Sequence, residues 1–264
     1  MTNICRIAGA FVVVAGLAPF GAQADTCAQL FRVGLNHATL KSTLVGVVPT
    51  PGQTLDPGLP NGGLGFPMWL TLVDGSGVVC TVVNSLTGTA HNSDNTADIW
   101  LGSRVISAQK ANTANAFSNG LLALSTANLY SAVQPGGSLF GLQHSNPVDA
   151  VEAYQGGAAT FGSSNDPLIG IRIGGVNVFG GGLALYSAGK KIGAIGVSGD
   201  TSCTDHVVAW KVRAALKLDG VPPFGGFDHM IQDISGGASP TGFGHPTCLN
   251  NPTAANDGGS ILHP

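Results

Sequence analysis

Apolar positions along this chain follow two rhythms, and their alternation divides it into elements. From Asp25 to about Leu44, residues Leu30, Val33, His37 and Leu40 recur at helical spacing with Leu35 nearby, which predicts a helix. Val47 to Pro67 is rich in glycine and proline and reads as a loop. Met68 to Asn84 carries two β-branched, apolar runs around Asp74-Gly75-Ser76-Gly77 and predicts a hairpin. Ser85 to Asp98 is polar and reads as a loop. The helical rhythm returns from about Ser103, a plausible N-cap, to Phe117, with small residues on the apolar face that permit close approach to a sheet.

A shorter helix is expected near Leu124–Ala132, stopped at Pro135-Gly136-Gly137, and Gly141 to Asp166 reads mostly as loop. Leu168–Ile173 and Gly174–Phe179 are apolar but broken by Gly174-Gly175. Leu183–Tyr186 and Ile192–Val197 flank Ala188-Gly189-Lys190 and predict a second hairpin. Asp200 to Leu218 is the strongest helical stretch, capped by Thr204 or Asp200 and stopped by Gly220 and Pro222. Beyond Val221 the chain is rich in glycine and proline and reads as an extended tail. Hairpins with helices packed over their faces predict an α+β sandwich, and the absence of strand–helix alternation argues against a Rossmann fold.

The N-terminal segment follows neither rhythm. Arg6 precedes an apolar run, Ile7 to Ala18; Pro19 to Gly21 break it, and Ala22-Gln23-Ala24 supplies a cleavage pattern. Residues 1–24 are therefore expected to be a signal peptide, residues 25–220 an elaborated domain with insertions, and residues 221–264 the tail. The apolar run is too short to cross a hydrocarbon core of about 30 Å, so no membrane span is expected. Export implies a periplasmic or secreted protein and permits disulfides among Cys27, Cys80, Cys203 and Cys248. Four cysteines allow three pairings. Cys27–Cys80 and Cys203–Cys248 are favoured, the first pinning the new N-terminus to the sheet and the second tying the tail to a helix start. The spacing does not suggest zinc, since no C-x-x-C pair occurs.

Charge is sparse. The chain is 9% charged, with a formal net charge of −3 and no basic stripe, which argues against nucleic acid as a partner. Glu152 is the sole glutamate, which removes H-E-x-x-H and paired-glutamate chemistry. Gly196-Val197-Ser198-Gly199 lacks the G-x-S-x-G spacing of a nucleophile elbow. Beyond His37, the histidines are scattered singles: His91, His144, His206, His229, His245 and His263. His206 stands out beside Asp205 in the first turn of the strongest helix, where free N–H groups favour an anion such as a propionate or carboxylate. Its neutral imidazole makes it the candidate metal ligand. Lys110 either pairs with an acidic ligand group or reaches water. Thr113, on the same helix face, either touches a ligand or bonds back to its own helix. Gly193, Gly196 and Gly199 leave gaps that admit either a flat ligand or another backbone.

Three stretches carry a resemblance. Lys110-Ala111-Asn112-Thr113-Ala114, followed by Phe117, resembles the "KA-x-TA-x-x-F" helix of the GlcG/HbpS family of small haem-binding domains. Gly181-Gly182-Leu183, then Gly193-Ala194-Ile195-Gly196-Val197-Ser198-Gly199 and Asp205, resembles its "GG … GAIGVSG … D" signature, and Val73-Asp74-Gly75 resembles its first hairpin. The resemblance spans about Met68 to Leu218. It implies a profilin-like α-β-α sandwich with a central antiparallel sheet, here with a disulfide-tied C-terminal tail. It also implies haem (heme) as cofactor and a homo-oligomer. The carried-over ligand-binding positions are Lys110, Thr113, Phe117, Gly181, Gly182, Ser198, Gly199 and Asp205. Ala184 stands where the family often has proline. An exported tetrapyrrole-binding protein is thus expected, in haem handling or sensing, rather than an enzyme; the alternative is an enzyme or sensor for a small carboxylate such as glycolate. Reducing Cys203–Cys248 is expected to loosen the tail and alter ligand access more than stability.

Overall fold

The structure is a computed structural model and describes residues 25–48, 59–87, 99–222 and 228–263. The expected signal peptide, His91 and parts of the loops before Met68 and after Ser85 lie outside the described residues. Helices α1 (Cys27–Arg32) and α2 (His37–Val47) precede strands β1 (Trp69–Asp74) and β2 (Val79–Asn84). Helix α3 (Gly102–Phe117) follows, then short helices α4 (Leu142–Ser145) and α5 (Ala150–Ala153), strands β3 (Gly182–Ser187) and β4 (Lys190–Ser198), and helix α6 (Ser202–Ala215). Strands β5 (Met230–Ile231) and β6 (Ile261–Leu262) close the order.

The main sheet has the order β2-β1-β4-β3 and is antiparallel throughout. Both hairpins form as the sequence predicts. Every residue of β1 and β2 is buried, because helices cover both faces and no polar face is left to alternate. Period-two alternation still sorts the side chains. Leu70, Leu72, Leu183, Leu185, Ile195 and Val197 pack with α1, α2 and α6. Trp69, Val73 and Ala194 pack with Val105, Ala108 and Ala111 of α3. The result is the α-β-α sandwich. Loops cover both sheet edges: Val79 N–H donates to Ile171 O, and Tyr186 N–H donates to Leu218 O.

Several boundaries differ from expectation. The single helix from Asp25 to Leu44 is two helices. Gly34 adopts a φ of +90°, and the Asn36 side chain caps α2 by accepting the Thr39 N–H. Val33, assigned to the apolar stripe, is 69% exposed at that break. Ser103 is not the cap of α3; it lies inside a helix that begins at Gly102. Thr201 caps α6 by accepting the Thr204 N–H, in place of Thr204 or Asp200, and the helix ends at Ala215 rather than Leu218. The helix expected at Leu124–Ala132 is two 3-10 turns, Thr126–Leu129 and Ser131–Val133.

The tail is packed rather than merely extended. β5 and β6 pair in parallel, and Met230, His245 and Ile261 are buried. Cys27–Cys80 and Cys203–Cys248 are the two disulfides, with the second joining the tail to α6. Two buried guanidinium pairs add further latches. Arg104 on α3 grips Asp166 at 2.5 Å while lying over the Phe161 ring, and Arg213 on α6 grips Asp228 of the tail.

Candidate functional site

Of the resemblance-derived positions, Lys110, Gly181, Gly182 and Asp205 meet where the sheet ends between α3 and α6. Lys110 projects from α3 past β4, placing Nζ 2.6 Å from Asp205 Oδ2 and 3.2 Å from Val197 O. Its side chain is 2% exposed. Asp205 Oδ1 accepts the Asp200 N–H at 3.0 Å. Burial pushes the Asp205 carboxyl up to about 6, against the pull of the Lys110 ammonium. This pair joins the two helical layers. It also occupies the ammonium that a small carboxylate ligand would need, and disfavours a glycolate-type site here.

The glycines serve this junction. Gly181 has a φ of +116°, and a Cβ there would stand 2.4 Å from Val197 O and 3.2 Å from Lys110 Nζ. A Cβ on Gly182 would stand 2.5 Å from Lys110 O, while its N–H donates to Thr126 Oγ1 at 2.9 Å. On Gly199, it would stand 2.6 Å from Pro67 O. The gaps at Gly193 and Gly196 are filled by the backbones of β1 and α3, so protein and not a flat ligand approaches them. Ser198 is buried and pairs with Trp69 in the sheet. Thr113 and Phe117 lie further along α3, away from the ion pair. Thr113 Oγ1 donates to Gln109 O and accepts the Asn177 N–H. Phe117 packs on the cluster of Leu129 and Val178.

Next to Asp205, His206 is fully enclosed, and neither ring nitrogen makes a hydrogen bond of ordinary geometry. Burial, then neighbouring His245, Arg213 and His229, hold its pKa well below the ordinary imidazole value; the Ser260 backbone alone opposes them. His245 is a second buried imidazole. Its Nδ1 lies 2.7 Å from Pro246 O, and Gly180 N–H donates to Nε2 at 3.4 Å. These contacts assign the proton to Nδ1 and leave Nε2 as the acceptor. Burial lowers its pKa to about 4, so both rings are neutral at ordinary pH.

Sequence reading singled out neither His245 nor the groove beside it. The Tyr130 ring lies 5.4 Å from His245, and Tyr130 and Pro246 help wall a groove of about 580 Å³ between residues 130–138 and 234–246. No charged side chain lines it. The other described histidines are dispersed: His37 meets Gly162 O, His144 is exposed on α4, His229 stacks near Trp210, and His263 pairs with Asp257.

Residues 67–214 match the family model described as "Haem degrading protein HbpS-like". An uncharacterised 15.0 kDa protein of Citrobacter freundii, from the dhaT-dhaS intergenic region, is 35% identical over 112 residues, which cover 42% of this chain and 57% of that protein. The chain thus spans little more than half the length of that relative. Among solved structures, a PduOC–haem complex aligns with a TM-score of 0.44 and 23% identity over 70% of this chain and 94% of its own. A doubly substituted HbpS of Streptomyces reticuli aligns with a TM-score of 0.41 and 14% identity over 80% of this chain and 99% of its own. With its sandwich order and the match from β1 through nearly all of α6, this chain belongs to the HbpS-like family.

Proposed function

We propose that this protein is an exported haem-binding protein, with His206 as the residue that meets the iron. The observation that carries the reading is His206 itself: an enclosed, neutral imidazole whose two nitrogens make no hydrogen bond of ordinary geometry, with only the Ser260 backbone near enough to favour a proton on the ring. A buried polar group without a partner costs about 1–3 kcal/mol, so its retention asks for a use. Family membership supports haem as that use. When bound, haem supplies an iron that accepts a neutral imidazole nitrogen. His245 offers a second neutral nitrogen nearby, and the adjacent groove has the size of an ordinary ligand pocket. The tail segment that encloses His206 must move aside for iron to reach it, and the Cys203–Cys248 bond restrains that segment. Two disulfides agree with an oxidising compartment, periplasmic or extracellular.

Titration of the purified protein with haemin tests the reading through the Soret band. A saturable shift at micromolar haemin is expected. His206→Ala should weaken binding about tenfold or more, a loss of about 1.4 kcal/mol. No saturable shift overturns the haem reading, whereas an unchanged His206→Ala titration overturns the assignment of the iron ligand. Light scattering of the same samples tests the homo-oligomer that the family resemblance implies; a monomer with and without haemin refutes it.

A further inference from the structure

Two mirrored spacings converge at the start of α6. Cys203 and His206 form a C-x-x-H step on one helix face, and His245 and Cys248 form an H-x-x-C step in the tail. The fold brings three of the four together: the two sulfurs and a ring nitrogen of His245 all lie within 4.8 Å of one another, and the His206 ring stands outside that group. His206 and His245 flank the same residue. A Cβ on Gly180 would stand 2.9 Å from His206 Cβ, while Gly180 N–H points at His245 Nε2. Neither His206 nitrogen makes a hydrogen bond of ordinary geometry, and the His245 Nδ1 contact to Pro246 O, the usual outer support of a metal-binding imidazole, leaves Nε2 to exchange its long 3.4 Å contact from Gly180 N–H for the ion.

We propose that reducing the Cys203–Cys248 disulfide turns this cluster into a Cys2His2 site for a tetrahedral divalent metal ion of the zinc type, with Cys203, His245 and Cys248 as ligands and the His206 side chain, one turn along α6 from Cys203, rotating in as the fourth. The donor set is the one zinc prefers, two thiolates and two imidazoles. Two sulfurs on one such ion stand roughly 3.8 Å apart, a span that side-chain rotation reaches between Cα atoms 6.0 Å apart. Groups already placed at the sulfurs favour thiolates. Cys203 N–H at the helix N-terminus points at Cys248 Sγ at 3.1 Å, Ser202 Oγ lies 3.4 Å from it, and Gln232 Nε2 lies 3.5 Å from Cys203 Sγ.

A phosphine gives the same dithiol protein in the test below, and a dithiol reductant performs the exchange. One of its thiolates attacks Cys248, the less buried sulfur, and forms a mixed disulfide while Cys203 leaves as thiolate. The second thiol of the reductant then displaces Cys248, so two electrons pass to the protein and the reductant becomes a disulfide. Binding of the ion then displaces the remaining thiol protons to solvent. The site needs no tetrapyrrole, so it stands or falls apart from the haem reading.

The test titrates metal-free, phosphine-reduced protein with Co(II) under anaerobic conditions. One equivalent is expected to give thiolate-to-cobalt charge-transfer absorption and the intense visible bands of tetrahedral cobalt, lost on adding Zn(II). The oxidised protein should give neither. A Cys27→Ser/Cys80→Ser protein should keep the bands after reduction, and a Cys203→Ser/Cys248→Ser protein should lose them. His206→Ala and His245→Ala should each weaken cobalt affinity by about tenfold or more, with circular dichroism confirming the fold. Absent bands in reduced protein, bands that survive in the Cys203→Ser/Cys248→Ser protein, or affinity untouched by either histidine variant would overturn the proposal. Should the double cysteine variant fail to fold, the histidine variants decide it.

Discussion

Gly196→Ala is expected to destabilise the protein by about 3 kcal/mol or more, at the top of the range for an overpacked core. The added Cβ would stand 2.0 Å from Ser107 O and 2.4 Å from Ala111 N, both backbone atoms of α3. Neither can rotate away, so the helix must lift from the sheet along its contact with β4. That movement strains the Thr71–Ser107 side-chain bond and pulls Lys110 from Asp205. Gly46 supplies the control: it lies within α2 and has nothing within 4 Å of its added Cβ. Gly46→Ala should stabilise by about 0.4–1 kcal/mol, through helix propensity and a less flexible unfolded chain. Urea denaturation measures both. A Gly196→Ala midpoint as high as that of Gly46→Ala would show that α3 does not rest on β4 in this way.

Lys110→Met should cost about 3–5 kcal/mol near pH 8, because it leaves a buried carboxylate without its counter-charge. The loss should shrink by more than half near pH 5. Asp205 already titrates above its ordinary value, at about 6, because burial outweighs the attraction of Lys110. A carboxyl raised on folding contributes stability that is full below its unfolded value and declines as pH rises through the folded one. Without Lys110 the folded value climbs further. The variant then takes a proton near pH 5 and buries a neutral acid beside an apolar side chain of similar reach. Thermal melts of both proteins across that range test the sign. A stability gap that is constant, or that widens toward acid, would mean Asp205 stays charged without Lys110.

The hairpins and the central helices were legible because burial on both faces writes long apolar runs bounded by glycine turns. The break at Gly34 was not, since apolar spacing runs on across it and only the pairing of Gly34 with the cap Asn36 marks it. The tail offered no rhythm to read. Its order comes from side chains bonding to backbone, as Asp257 does to Gly259 N–H and Asn256 to Leu59 O, and from the bond to Cys203. The positions of the site residues were legible through resemblance, but the partner of Lys110 was not. Sequence alone does not reveal whether an ammonium on α3 faces a ligand or a carboxylate 95 residues further along the same chain. His245 escaped notice because nothing local distinguishes it; only the fold sets it against Cys203, Gly180 and Tyr130.

The latches carry a consequence for the order in which the chain assembles. Arg104 and Arg213 each belong to a sandwich helix, yet their carboxylate partners sit in the segment after α5 and in the tail. Neither guanidinium can be buried until its helix is seated, and the parallel pairing of β5 with β6 must close a span of thirty residues with no helix to shorten it. The sandwich from β1 to α6 therefore forms the cooperative unit, and the additions settle on a surface that already exists. In native-state hydrogen exchange, amides of β5 and β6 should open at lower free energy than those of β1 and β4. Equal protection would make the tail part of the first unit. Because it settles last and leaves first, the tail is the part of the chain that can shed and regain its contacts while the sheet stays intact.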